Sequence, residues 1–286
     1  MMTPADLAER LHLDWEARSW RGACPACSYP RAFSLRLGKD SRALIYCANG
    51  CGRDELRAQV DRVAGGSWKA PEPTDPQAKA EASQKKQAAA MRLWAGSEAA
   101  PGTLAAVYLA TRKLAALAAS PALRYRPDCH HPEGGTWPAM VALVKNVAGN
   151  SVAVHRTYLR PDGHGKAPVE PAKASLGPVW GGAIRLADCA HGVPLVIGEG
   201  IETAASAGRL MGCPAWAALS AGNLAKGLVL PPEVGHIIIA EDPDEPGRQA
   251  AAAAARRWKA EGRRVQIARP AGDVDFNDID RSAANG

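Results

Sequence analysis

From Leu195 onward the chain alternates short apolar runs with helical patterns: strands at 195–198, 215–219, 236–240 and 264–268, with helices at about 201–211 and 246–261. Such alternation leaves few folds open, and the simplest is an α/β domain, a mainly parallel sheet flanked by helices. Within it, Leu195 to Thr203 (LVIGEGIET) places Glu199 at the carboxyl end of a buried strand. His236 to Gly247 (HIIIAEDPDEPG) then sends Asp242 and Asp244 off the end of a second. Strand ends of this kind open into the crevice where ligands gather in α/β sheets. Asp275, in the acidic tail DVDFNDID after the last strand, can join them.

Acidic groups converging on one sheet edge suit Mg²⁺, which takes few protein carboxylates and keeps water and phosphate oxygens for the rest of its octahedron. Around one or two such ions they can support phosphoryl transfer. One of these acids, and Glu202 close to another, have a plainer reading. Asp244 is placed to N-cap the helix entering at Pro246, and Glu202 to be a first-turn acid favoured by the helix dipole. No GxxxxGK[ST] stretch occurs, so the phosphate loop of an ATP-driven motor is not encoded.

The N-terminal residues carry a second signal. Leu7, Leu11 and Trp15 recur at helical spacing, predicting an amphipathic helix within 4–18. Then come Cys24-Pro-Ala-Cys27, alternating strands at Phe33–Leu37 and Ala43–Tyr46 around a turn at 38–41, and Cys47-Ala-Asn-Gly-Cys51. Two close cysteine pairs joined by a hairpin are the usual build of a zinc ribbon, each tight turn presenting two thiolates to one tetrahedral Zn²⁺. A helix follows at 53–63. Residues 65–90, rich in Pro, Ala, Lys and Gln, read as a linker whose second half turns helical toward Met91, Leu93 and Trp94. The domains expected are therefore a zinc ribbon (1–64), a linker (65–90), a middle unit (91–190) and the α/β domain (191–286).

The middle unit predicts a helix at 103–111, an extended stretch at 122–125 and a hairpin about Gly149-Asn150 whose outgoing strand ends in His155-Arg156-Thr157-Tyr158. Cys129-His130-His131 reads as a loop. The net charge of +6 is uneven: residues 91–190 hold 11 basic and 6 acidic side chains, whereas 191–286 hold 10 and 12. A basic unit before an acidic one fits a polyanion cradle next to a cation site, with Arg156, Lys166 and Lys173 as candidate phosphate ligands. No apolar run reaches the roughly 18 residues of a membrane span, and no secretory leader opens the sequence, so a cytoplasmic protein is expected.

Gly198-Glu199-Gly200 after one strand and Glu241-Asp242-Pro243-Asp244-Glu245-Pro246-Gly247 after another resemble the two motifs of Toprim domains. These occur in bacterial DnaG-type primases, topoisomerases, ribosomal-RNA maturases and nucleases. The order of cysteine ribbon, linker, basic subdomain and Toprim resembles the primases. Tyr108-Leu109-Ala110-Thr111-Arg112 is similar to their YLxxR helix, and GEGIETAAS, LSAGNL and DFND are similar to primases of phages, plasmids and integrated elements.

The resemblance implies a Rossmann-like parallel-sheet Toprim catalytic domain, preceded by a basic α+β primase-core subdomain and a zinc ribbon. It implies a primase that joins ribonucleotides on single-stranded DNA, the 3′ hydroxyl of one attacking the α-phosphate of the next. Glu199 is then the central metal-coordinating acid, Asp242 and Asp244 the paired ligands and Asp275 a supporting acid for Mg²⁺ or Mn²⁺. Cys24, Cys27, Cys47 and Cys51 hold structural Zn²⁺, Arg156, Lys166 and Lys173 meet template and nucleoside triphosphates, and a separate replicative helicase is the partner. DnaG-type primases often carry an acid four residues after the glutamate; here that place is Thr203, with Glu202 beside it. The rival readings are a Toprim nuclease or RNA-processing enzyme and a non-catalytic helicase-loading DNA-binding protein.

Overall fold

A computed structural model describes residues 2–16, 19–37, 43–65, 76–189, 192–270, 272 and 274–283. They divide into two compact units, Met1–Pro76 and Gln77–Gly286. In the first, Thr3 caps α1 (Pro4–Arg10) through a capping box. Its hydroxyl accepts from Asp6 N at 3.2 Å and the Asp6 carboxylate accepts from Thr3 N at 2.8 Å. The helix is shorter than the leucine spacing predicts, and just beyond it His12 takes a left-handed φ of 51°. Trp15 therefore lies not on a helix but on β1 (Asp14–Glu16), 59% exposed, edge-to-face with Trp20 of β2 (Ser19–Gly22).

β3 (Phe33–Leu37) and β4 (Ala43–Cys47) complete an antiparallel sheet in the order β1-β2-β3-β4. The expected turn at 38–41 lies outside the described residues. α2 (Arg53–Ala64) presents Leu56, Val60 and Ala64 at four-residue spacing to a core shared with Leu7, Phe33 and Leu35. It stops at Gly65, whose φ of 63° is left-handed.

In the second unit α3 (Pro76–Ala95) occupies much of the stretch read as a linker. Its alanines and lysines are strong helix formers, and Ala90, fully buried, packs with Val141, Leu143 and Val154. Then come β5 (Glu98–Ala99), α4 (Leu104–Thr111, capped by Thr103), β6 (Leu123–His130), β7 (Thr136–Lys145), β8 (Ser151–Tyr158), β9 (Lys173–Leu176) and β10 (Ala183–Arg185). Cys129 and His130 sit on β6, paired with Trp137 and Thr136, rather than in a loop.

The C-terminal part runs β11 (Leu195–Gly198), α5 (Ile201–Met211), β12 (Ala215–Ala217), a π-helical turn Asn223–Gly227, β13 (His236–Ala240), α6 (Glu245–Ala260), β14 (Arg264–Ala268) and α7 (Phe276–Ala283). One ten-stranded sheet spans the unit, in the order β14-β13-β11-β12-β10-β7-β6-β5 with β8 and β9 added against β7. β11 is parallel to β12 and β13, and β13 to β14. β10 is antiparallel to both β7 and β12, and it joins the hairpin half to the parallel half. The acidic tail after the last strand carries the helix α7.

Candidate metal and phosphate cleft

The acidic wall follows from register. Gly198 pairs with Ala240, so the ends of β11 and β13 lie side by side, and Glu199 and Asp242 leave them together. Gly198 must lack a side chain here, because a Cβ would stand 2.9 Å from Ala204 N, where α5 starts directly over the strand. Burial raises the Glu199 carboxyl, and the nearby Asp242 and Asp244 raise it further, to about 7; the Ala221 amide and Lys173 only partly oppose them. Asp242 is also raised, by burial first, against a hydrogen bond from Thr203. Its Oδ1 is buried with no hydrogen-bond partner among the described residues.

Asp244 and Asp275 are in part spoken for. Asp244 N-caps α6, its Oδ1 accepting from Gly247 N at 2.7 Å. Asp275 Oδ1 accepts from Asp278 N at 2.8 Å at the start of α7. Asp275 lines the cleft with Glu199 and Asp242; Asp244 does not line it and acts on Glu199 through its charge.

The opposite wall is basic. Lys166, Lys173, Arg112 and His155 line the same cleft, of about 250 Å³. Lys166 bridges to Leu159 and Lys173 opens β9. His155 Nδ1 is 2.9 Å from the Ser175 hydroxyl of its register partner. Burial and then Lys173 push the imidazole down to about 3, so it is neutral at ordinary pH.

Arg156 is not brought to this wall. Strand alternation turns it to the other face, where it is 8% exposed and donates to the carbonyls of His130, Ala174 and Ser175. A guanidinium so engaged braces the sheet.

Sequence reasoning met Arg112, His155 and Asn277 only inside motifs or a strand, not as site residues, and read Glu202 as a helix-start acid. Glu202 is 9% exposed: Oε1 accepts from Tyr108 Oη at 2.5 Å and Oε2 from Lys173 Nζ at 3.2 Å. Burial alone would raise its carboxyl, yet Lys173, Lys166 and Tyr108 bring it down to about 2. Asn277 donates to the Arg112 carbonyl at 2.8 Å and to Ser206 Oγ at 3.0 Å, fixing the end of α4 beside α5. The available signals for Glu202 were a charge in the first turn of a helix whose residues 201–208 are buried and its place beside Thr203.

In the N-terminal unit, the sulfurs of Cys24, Cys27, Cys47 and Cys51 all lie within 4.8 Å of one another. Cys24–Cys51 and Cys27–Cys47 are each 3.9 Å apart, near the roughly 3.8 Å edge of a tetrahedron of Zn–S bonds. The Cys24 hydrogen bond lowers the Cys47 thiol to about 5, whereas burial raises Cys51 to about 12. Four thiolates this close together need a cation among them. This is the compact metal-ligating group among the described residues, and the four donors fit Zn²⁺.

Residues 194–286 match the Toprim domain family, and residues 84–186 match a domain of unknown function, DUF7146. No curated protein matches the chain. Among solved structures, the primase fragment of the bacteriophage T7 primase-helicase protein is 13% identical, with a TM-score of 0.40 over 93% of this chain and 95% of that one. The RNA polymerase domain of Mycobacterium tuberculosis primase DnaG is 18% identical, TM-score 0.47, over 71% and 82%. The zinc-binding and RNA polymerase domains of the Aquifex aeolicus primase are 13% identical, TM-score 0.44, over 99% and 83%.

Proposed function

Residues 194–286 being a Toprim domain, we propose that the chain is a DNA primase of the mobile-element type, making short RNA primers on single-stranded DNA by metal-dependent nucleotidyl transfer. The observation that carries this reading is the two-walled cleft: Glu199, Asp242 and Asp275 face Lys166, Lys173 and Arg112 across about 250 Å³. Acids alone would bind a cation and bases alone an anion; together they suit the metal complex of a triphosphate.

Glu199 and Asp242, with Asp275 and the charge of Asp244 in support, would hold Mg²⁺ or Mn²⁺, which supplies neutralising charge to the phosphates when bound. The donors fit: Asp242 Oδ1 is buried without a partner among the described residues, and Glu199 sits in a site that penalises its charge until a cation compensates it. Lys166, Lys173 and Arg112 grip and orient the triphosphate. The 3′ oxygen of one nucleotide forms a bond to the α-phosphorus of the next as the bond to pyrophosphate breaks, and the hydroxyl proton leaves to water. The Cys24, Cys27, Cys47 and Cys51 ribbon and the basic middle unit hold the template, so template affinity falls as salt rises. A separate replicative helicase is the partner and the cytoplasm the location. Among the described residues no helix is long and apolar enough to cross a membrane.

The test is synthesis from labelled ribonucleotides on single-stranded templates with Mg²⁺ or Mn²⁺, comparing the unaltered protein with Glu199→Gln and Asp242→Asn. Template-dependent oligomers lost in both variants support the reading. None from the unaltered, zinc-replete protein sinks it, and cleavage of nucleic acid without nucleotides points instead to a Toprim nuclease.

A further inference from the structure

Glu202 stands where the sequence offers an acid beside Thr203, three residues after Glu199, yet its carboxylate does not join the acidic wall. Each of its oxygens is engaged by a different element: Tyr108 Oη from α4 at 2.5 Å and Lys173 Nζ from β9 at 3.2 Å. Tyr108 is fully buried and the Glu202 side chain is 12% exposed, whereas Lys173 keeps 32% of its surface at the cleft. The carboxylate is thus the fixed member of the group and the lysine the reachable one. A metal bound by Glu202 would have to displace both partners, while Glu199 and Asp242 offer oxygens nearby at no such cost.

We infer that Glu202 is a positioning residue: anchored by Tyr108, it holds the Lys173 ammonium at the edge of the cleft, across from Glu199 and Asp242, where it meets the phosphates of an incoming nucleoside triphosphate. This rests on the reading of the cleft as a triphosphate site. Without the carboxylate, Lys173 loses its tether and faces Lys166 and Arg112 with no anion between them, so like charges drive it away. The neutral Gln retains an acceptor for Tyr108 and removes only the charge that holds the lysine.

The experiment measures binding of a fluorescent ribonucleoside triphosphate to the full chain, without template, with Ca²⁺ in place of Mg²⁺ so that no synthesis occurs. Glu202→Gln is expected to weaken binding about tenfold in a protein that still folds, with a lower melting temperature because Lys173 loses its buried counter-charge. Lys173→Met should weaken it comparably, and the double variant should be no weaker than either single one, since both changes remove one interaction. A merely structural role would give losses that multiply. Unchanged or tighter binding in Glu202→Gln, or multiplying losses, overturns the inference.

If Glu202→Gln does not fold, Tyr108→Phe carries the test. It frees one arm of the clamp and should weaken binding severalfold; no change overturns the inference. No triphosphate binding by the unaltered protein overturns it too, whereas intact binding with no oligomer synthesis counts only against the primase reading.

Discussion

Glu199 and Asp242 leave neighbouring parallel strands one residue out of step: Gly198 is the register partner of Ala240, so Glu199 follows the pair directly and Asp242 comes two residues after it. Two carboxyls are thereby confined to one half-buried strand edge, where burial and then the Asp242 charge raise the cost of ionising Glu199. Removing one charge should stabilise the metal-free protein while destroying its use. Glu199→Gln is expected to raise the melting temperature in EDTA and to lower primer synthesis by roughly 100-fold or more. Thermal unfolding with and without Mg²⁺, beside the synthesis assay, checks both halves; a lower melting temperature in EDTA would contradict the argument.

Gly198 is set by space. The Cβ of an alanine there would meet Ala204 N at 2.9 Å and Ala204 Cα at 3.0 Å, backbone atoms of α5 that have no rotamer to yield. Gly198→Ala is therefore expected to cost about 1–3 kcal/mol through overpacking. Urea unfolding would measure this, and a neutral substitution would mean that α5 slides freely over β11.

The cysteine cluster predicts that about one zinc per chain co-purifies and that Cys47→Ser removes it. With three thiols left and a core built around Phe33, Leu35 and Val60, the N-terminal unit should then lose its resistance to protease. Metal analysis and limited proteolysis decide it; a zinc-free Cys47→Ser unit of undiminished resistance would show that the ion adds nothing to folding.

His155 gives a pH signature. Lys173, Lys166 and Arg156 disfavour its charge and Glu202 favours it, while burial dominates and brings the folded value to about 3. An unfolded chain takes up this proton near pH 6.5 and the folded chain does not, so the folded state loses stability as pH falls below about 6.5 toward 3. Between pH 7.5 and 5 the unaltered protein should lose more stability in urea than His155→Gln does. Parallel losses would mean the imidazole titrates normally.

The parallel sheet was legible because β11 and β13 are short apolar runs between helical patterns, and the acids that line the cleft because Glu199 and Asp242 follow those two strands. What escaped was decided by tertiary contact. Leu7, Leu11 and Trp15 keep helical spacing although the chain turns at His12 and Trp15 pairs with Trp20. The tail was read only for its acids and its DFND motif, yet Phe276, Asn277 and Asp280 are buried and α7 packs on α5. Arg156 and Lys173 read alike as cations on a hairpin; only the strand's face separates the one that braces carbonyls from the one that reaches the cleft. Glu202 was half visible, since a dipole-favoured acid and an ion-pairing acid look the same until Tyr108 arrives from 94 residues away.

The strand Ala183–Arg185 has a further consequence for how such chains recombine. Ile184 pairs with Val144 on one side and with Ala217 on the other, so the short gap between the two family matches, residues 187–193, is not a seam in the sheet. A chimaera cut there would set a foreign strand edge against Ala215–Ala217, and the Lys166 and Lys173 wall would no longer be in register with the Glu199 wall. The two halves of the cleft stand on one continuous sheet, so an exchange that keeps the cleft has to carry both.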